Sequence, residues 1–454
     1  MNSYVEKDLK YIWHPCSQMK DYEELNPIVI EKGEGVWLYD IEGNKYLDCI
    51  SSWWTNTLGH SNKRINEAIK KQIDSIEHVI FANFSNKPAI ELAEKLVNIT
   101  PKNLTKVFYS DNGSSAVEIA LKMSFHYNMQ RGNGKKRRFV ALSDAYHGET
   151  LGALSVCDMD EFNMVYKPLL LDTIRAEGPD CYRCKYGLNR EWCNAECFEV
   201  MENSIIKNHE EISAVIVEPM VQGAAGMKIY SPIYLRKLRE LCDKYNIHLI
   251  ADEIAMGFGR TGEMFACNHG QISPDFMCLS KGISAGYMPM SVVMTTDEIY
   301  ECFYGDYRER KSFIHSHTYS GNAMACAIAL ENLKIFEDDN IIEKNREKGQ
   351  LIRKLTAERA EASKHVGEVR SIGMITAIEI VKDKDTKESY PWHMRVGYEI
   401  YKIALKKGLL LRPMGNVLYF IPPYVINKEE IKFMVNTCFD SIEKYFKENI
   451  EKEC

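Results

Sequence analysis

From about residue 87 to 325, short apolar runs alternate with segments whose apolar positions recur every three or four residues. "KVFYS" precedes "SSAVEIALKMS", "RRFVALS" precedes "GETLGALSV", "SAVIVEP" precedes "PIYLRKLRELCDKY", and "HLIAD" and "DFMCLS" follow. Continuous apolar runs bounded by turns are strands buried on both faces, and the intervening periodicity is helical. The alternation predicts an α/β domain with a mostly parallel sheet covered on both sides. Upstream, "GVWLYDIEGNKYLDC" alternates apolar and polar residues around Glu42-Gly43-Asn44 and reads as a hairpin. "RINEAIKKQIDSI" has the spacing of an amphipathic helix. Beyond about residue 330 a long helical stretch, the strand-like "MITAIEIV", a further helix and "NVLYFIPPYV" predict a smaller α+β domain. The expected organisation is an N-terminal segment, 1–55, that joins the small domain, a large domain over 56–328 and the small domain over 329–454.

Composition narrows the function. The 454 residues are 45% hydrophobic and 27% charged, as in ordinary globular proteins. A net charge of -7 argues against nucleic acid as a partner, and the basic run Lys135 to Arg138 reads as a solvated loop. The first residues carry acidic side chains and no apolar core, and no apolar stretch reaches membrane-spanning length. A cytosolic protein is expected, and its fourteen cysteines are expected to be thiols.

Ligands of open α/β sheets bind at the carboxyl ends of the strands, so the residues just beyond each strand carry the chemistry. Asp252 follows "HLIA", Lys281 follows "DFMCLS", Glu218 follows "AVIV", Tyr146-His147-Gly148 follows "FVALSDA", and Gly113-Ser114-Ser115 opens a helix after "VFYSDN". A glycine-serine turn at a helix start offers N–H groups and the positive end of the helix dipole to an anion, although a serine there is also an ordinary cap. Its spacing is neither a Walker A loop nor GxGxxG. Burial of Lys281 would lower its pKa and make it a nucleophile able to form a Schiff base. A lysine nucleophile, a buried carboxylate and a phosphate-sized anion site on one rim are what pyridoxal phosphate requires.

"ADEIAMGFGRTG", "LSKGISAG", "YHGET" and "HTYSGNAMACA", in this order and spacing, resemble the class III pyridoxal-phosphate aminotransferases of fold type I. "IWHPCSQM", "SSWWTNTLGH", "VQGAAGM" and "LLRPMGNVLYFIPPY" narrow the likeness to the branch that acts in biotin biosynthesis, the 7,8-diaminopelargonate synthases. The resemblance implies that Lys281 is the catalytic lysine that binds the cofactor covalently and Asp252 the partner of the pyridine nitrogen. It implies that Gly113 and Ser114 hold the phosphate, that Tyr146 stacks on the ring, and that Thr318 reaches the phosphate of a neighbouring subunit in a homodimer with shared sites. The implied acceptor is 8-amino-7-oxononanoate, with Arg412 gripping its carboxylate and Trp53 and Trp54 walling its aliphatic chain. Arg260 would be a further carboxylate ligand or an organiser of the site.

Two features depart from that pattern. Cys16 stands where users of S-adenosylmethionine carry tyrosine, and His315-Ser316-His317 precedes Thr318 where they carry glycine and proline. Lysine users have a histidine there. S-adenosylmethionine is the expected donor and L-lysine the alternative, with a ω-amino acid or diamine aminotransferase as a further reading. Separately, Cys181, Cys184, Cys193 and Cys197 form C-x2-C-x8-C-x3-C in an insertion at 178–198. That spacing suits a structural zinc site, but a loop of reduced thiols is the favoured reading and no metal is assigned.

Overall fold

The computed structural model describes residues 2–449. A seven-stranded sheet runs through the large domain in the spatial order Lys106–Ser110, Ser291–Thr295, Phe276–Leu279, His248–Asp252, Ile212–Val217, Arg138–Leu142 and Thr173–Ala176. Ser291–Thr295 is antiparallel to both neighbours and every other pairing is parallel. The mostly parallel sheet agrees with the sequence pattern. Thr173–Ala176 and Ser291–Thr295 were not among the strands that the alternation identifies.

Successive residues of each strand point to opposite faces, and both faces are buried. Ile250, Phe276, Cys278 and Val293 pack with Ala116, Val117 and Ala120 of the helix Gly113–Gln130. Leu249, Ala251, Met277 and Leu279 pack into the main core on the other side. The helix Pro232–Tyr245 is capped by the Ser231 hydroxyl, which accepts from Ile233 N, and ends at Asn246 in the left-handed conformation. Such caps satisfy the end groups of a helix, and the reversal they permit starts the next strand.

Register decides which side chains share a rim. Ala251 lies opposite Val217 and Met277, and Asp252 opposite Cys278. Glu218 therefore leaves the sheet beside Asp252, and Lys281 follows three residues beyond the Cys278 level.

Two smaller sheets flank this domain. Ile30–Glu34, Trp37–Asp40 and Lys45–Asp48 form an antiparallel meander, to which Leu409–Leu410 adds in parallel. Val366–Ile372, Ile375–Ile380 and Val417–Phe420 form an antiparallel sheet against the helix Ile341–Ala362, which also packs on Lys428–Asn449. No helix among the described residues is long and apolar enough to cross a membrane.

Three glycines join this last unit to the large domain. A methyl group at Gly349 would overlap the Gly373 carbonyl, and one at Gly373, where φ is +53°, would overlap the backbone of Thr261 and Gly262. Met374 N donates to Arg260 O at 2.9 Å across the same junction. Gly349→Ala is expected to lower unfolding stability by about 3 kcal/mol in urea titration, because backbone rather than a flexible side chain would have to yield.

Candidate active site

The strand His248–Asp252 ends in one carboxylate and is followed by a second, Glu253, and both are buried. Uncompensated, each would be costly. Asp252 Oδ1 accepts from Ile254 N at 3.1 Å, and Oδ2 accepts from His147 Nδ1 at 2.7 Å. Glu253 accepts from Ala266 N at 2.9 Å and Cys267 N at 2.7 Å, and burial still pushes its pKa up to about 7. Glu253 is thereby committed to the loop that leads on to Phe276–Leu279, while Asp252 belongs to the open rim.

His147 shows how Asp252 is held. Its backbone N–H donates to Cys157 Sγ at 3.0 Å, its Nδ1 faces Asp252, and its buried Nε2 has no partner among the described residues. The Nδ1–H tautomer fixes the carboxylate and is the arrangement that a second group, bound at the free edge of Asp252, would need. His147 lies in the "YHGET" segment quoted above, but only the fold reveals the pairing, since 105 residues separate the two partners.

Lys281 opens the short turn Lys281–Ser284 at φ 46° and is partly buried. Its Nζ lies 4.5 Å from the centre of the Trp54 ring. Burial lowers its pKa to about 8, against the opposing pull of Asp252 and Glu218 and with a further lowering from Arg260. Glu218 is buried and accepts from Gly223 N at 2.9 Å and Tyr146 N at 3.2 Å. Desolvation raises its pKa to about 7; His147 opposes that rise and Asp252 adds to it.

The helix start at Gly113 lies beside this group. Asn112 caps it by accepting from Ser115 N at 3.0 Å, and a methyl group at Gly113 would press on Ile254, two residues from Asp252. Gly148, at φ +127°, touches Ser114 so closely that any side chain would displace its hydroxyl, and Glu149 N donates to Ser114 Oγ at 3.3 Å. The Tyr146-His147-Gly148 turn and the Gly113-Ser114 turn are thus fitted to each other. Tyr146, partly buried, donates its hydroxyl to Glu149 at 2.8 Å. Thr318 is exposed and has no hydrogen bond to this group among the described residues. Its neighbour His317 lies 3.2 Å from His315 and 3.7 Å from Asp111.

The tryptophan pair lies between Lys281 and Arg412. Trp54 is buried and donates Nε1 to the Tyr419 hydroxyl at 3.1 Å, whereas Trp53 is 42% exposed and lies under the Arg412 guanidinium, 4.3 Å from ring centre to Cζ. Arg412 donates one bond, to the Cys16 carbonyl at 3.0 Å, and keeps other N–H groups free for an anion. The backbone that presents the pair is left-handed at Ser51, Ser52, Trp53 and Trp54, with φ of 50°, 45°, 71° and 69°. For L-residues this costs ~1–2 kcal/mol each. Arg260, fully buried, donates to Ser51 Oγ, Pro422 O, Trp54 O and Asn56 O, so it is an organiser and is not free to bind a carboxylate. Neither the hand of this turn nor its supports is visible in composition or spacing.

The cysteine-rich insertion lies elsewhere. It reaches the C-terminal unit through Arg183, which donates to Glu379 at 3.0 Å and Ser389 at 2.9 Å, and through Arg190, which donates to Ser371 O at 3.2 Å. Its four thiols are free, and among the described residues no group of three or more histidine, cysteine or acidic side chains is placed to hold a metal. Burial first, then the neighbouring thiols, push Cys181 up to about 12 and Cys197 to about 11.

Comparison with known proteins agrees with this geometry. The model of the class-III aminotransferases matches residues 18–443. The adenosylmethionine-8-amino-7-oxononanoate aminotransferase of Geobacter sulfurreducens is 46% identical over 96% of each chain. The crystal structure of the like-named enzyme from Methanocaldococcus jannaschii superposes with a TM-score of 0.92 at 43% identity, covering 97% of this chain and 98% of the other. A Pseudomonas jessenii omega transaminase, solved in complex with PMP, reaches 0.93 at 32% identity over 98% and 99%. With a lysine, a histidine-held aspartate and a glycine-serine helix start on one sheet rim, and with this match over nearly its full length, the chain belongs to the class-III aminotransferases.

Proposed function

We propose that the protein transfers an amino group to 8-amino-7-oxononanoate in biotin biosynthesis, with S-adenosylmethionine as donor, in the cytosol. The observation that carries this reading is the tryptophan pair: Trp54 faces the Lys281 amine at 4.5 Å and Trp53 faces the Arg412 guanidinium at 4.3 Å. An aliphatic keto acid laid along the two rings would present its carbonyl to the amine and its carboxylate to the guanidinium. Identities of 43–46% to enzymes named for this acceptor favour it over the ω-amino acid reading, whose structural relative stands at 32%.

The residues fit pyridoxal phosphate. Lys281 is an amine of lowered pKa, Asp252 a carboxylate with a free edge, and Gly113 and Ser114 a helix start with donors to spare. When bound, the cofactor supplies a carbonyl for the amine and a ring that withdraws electrons from the substrate carbon. Lys281 Nζ would hold it and then move the proton at that carbon, a task suited to a pKa near neutral. Asp252 would keep a pyridinium charged, and the His147 bond would keep Asp252 in place. The rings of Tyr146 and Trp54 would help exclude water.

Thr318 would act across a dimer. Around it Ile80, Phe84, Ile314 and Tyr319 are exposed, and Asn322 Nδ2 and Asn86 Nδ2 tie this stretch to Glu77 O and Gly321 O. An apolar rim of this kind suits a second copy of the chain, and a homodimer would let Thr318 reach the partner's phosphate. The donor reading has L-lysine as its alternative, because Cys16 is exposed and supports Arg412 only through its backbone carbonyl, and because His317 precedes Thr318.

Separate half-reactions with S-adenosylmethionine and L-lysine, followed by loss of the cofactor's visible absorbance, test the donor. Conversion by S-adenosylmethionine is expected, and conversion by lysine alone would replace it. Lys281→Ala is expected to abolish borohydride-stable attachment of the cofactor and to lower turnover by at least 10³-fold; normal turnover would end this reading. In the parent protein, covalent capture of added cofactor requires the uncharged amine. A pKa of about 8 leaves about a tenth of it uncharged at pH 7, so the capture rate should rise about tenfold per unit up to pH 8 and then level off. Arg412→Ala should raise KM for the amino-oxononanoate at least tenfold and leave the donor half-reaction within about threefold, as measured by single-turnover kinetics.

A further inference from the structure

The cysteine-rich insertion and the C-terminal unit enclose a cavity of about 380 Å³ that the proposed reaction does not use. The insertion supplies Tyr182, Arg190 and Glu191 to its lining. The facing wall is Arg353 of the helix Ile341–Ala362, Glu368 and Arg370 of the strand Val366–Ile372, and Lys387. Four of these side chains are cationic and two are acidic, so the walls carry an excess of positive charge.

The carboxylates do not cancel that excess evenly. Glu368 accepts from Arg370 Nη1 at 2.8 Å, and the same guanidinium is held by Glu379 at 2.8 Å and by Met227 O at 2.9 Å. Glu191 lies 3.8 Å from Arg353. Arg190 and Lys387 have no ion-pair partner among the described residues. Lys387 Nζ is steadied by Tyr182 instead, donating to its carbonyl at 2.6 Å and lying 4.9 Å from the centre of its ring.

Arg190 is the group that calls for a ligand. It is half-buried and donates one bond, to Ser371 O at 3.2 Å, out of the five that a guanidinium can make. Burial lowers its pKa, and Glu368, which opposes that lowering most, is already taken by Arg370. A cation drawn out of water without a partner is costly, and a neutral amide could have reached Ser371 O without that cost. What the charge adds is a grip on an anion in the cavity.

The arrangement also selects the anion. A carboxylate is satisfied by two parallel bonds from one guanidinium, whereas a phosphate has acceptor oxygens on every side and suits cations that come from three separate segments. The surplus charge matches a dianion, which phosphate and its monoesters are near neutral pH. The volume is at the small end for ligand pockets, so a short monoester fits better than a large cofactor. We propose that this cavity is a binding site for a small phosphate dianion, free or as a monoester, gripped by Arg190 with Arg353 and Lys387, and that its occupant fastens the cysteine-rich insertion to the C-terminal unit.

Hydrogen exchange of the cofactor-loaded protein tests this, with inorganic phosphate, glycerol phosphate, succinate or chloride added at matched ionic strength. The loaded cofactor keeps the Gly113 helix start filled, and peptides locate any protection. Both phosphates are expected to slow exchange in 181–191 and 366–372 at least threefold, with succinate and chloride leaving it unchanged. Arg190→Gln should abolish that protection, and Arg353→Gln, at an exposed position, should weaken the apparent affinity at least threefold. Tighter binding of glycerol phosphate would identify the monoester as the form the cavity takes, and tighter binding of inorganic phosphate the free ion. Equal protection by chloride would reduce the effect to screening and overturn the proposal. Protection by succinate and not by phosphate would overturn the ligand class, and protection that survives both substitutions would overturn the site. No protection by any of the anions would overturn it outright. Should Arg190→Gln fail to fold, Arg353→Gln supplies the same outcomes.

Discussion

A carboxylate kept in place at the buried end of a central strand is the constraint on which the site depends. His248–Asp252 is paired on both sides, so Asp252 cannot retreat to solvent without breaking the sheet. Its charge has to be met where it stands, and His147 meets half of it from the end of a different strand. Parallel strands bring their carboxyl ends to one edge, and this is why Glu218, Lys281 and the Gly113 turn gather around the same point despite wide separation in the chain. Packing on both faces of the sheet leaves this edge as the open side.

The same edge carries a balance of charges that no single residue determines. Burial lowers the lysine and raises Glu218, yet each carboxylate pulls the lysine back up, and Arg260 pushes it down. The lysine comes to about 8 and Glu218 to about 7, so that both can change protonation near neutral pH. Placed alone in such a core, either group would be pushed much further from its solution value. Proton movement is served by groups of this kind, and here burial, the largest influence on both, is opposed in part by neighbouring charges.

Much of this was legible in the chain, and the reasons for the rest are physical. Strands such as "HLIAD" and "SAVIVEP" announce themselves because burial on both faces leaves continuous apolar runs, and chemically loaded residues at their ends follow from the geometry of parallel sheets. Ser291–Thr295 is equally buried but antiparallel, and it returns from Phe276–Leu279 with only the short turn Lys281–Ser284 and no α-helix between, so the alternation does not mark it. Lys281 and Asp252 could be paired by type and spacing. His147 could not be given its role, because a histidine after a strand has many uses and only the fold sets its Nδ1 against Asp252. The left-handed hand of Ser51–Trp54 was hidden for a different reason: the usual marker of positive φ is glycine, and here the turn has none and meets hydrogen bonds from Asp48 and Arg260 outside it.

The place of this turn bears on how two substrates can use one site. In the proposed reading Lys281, Asp252 and the Gly113 turn would serve donor and acceptor alike, so discrimination would come from parts that only one of them touches. The tryptophan pair stands on a turn that Asp48 and Arg260 meet with hydrogen bonds from outside, and Arg412 lies over Trp53. Rigid aromatic walls cost little entropy when a flexible aliphatic chain settles on them, and a guanidinium stacked on one wall is already oriented for a carboxylate. Strain is therefore not confined to one part of the site: Ser51–Trp54 carry it beside the tryptophan pair, and Lys281 itself sits at φ 46° on the edge of the sheet.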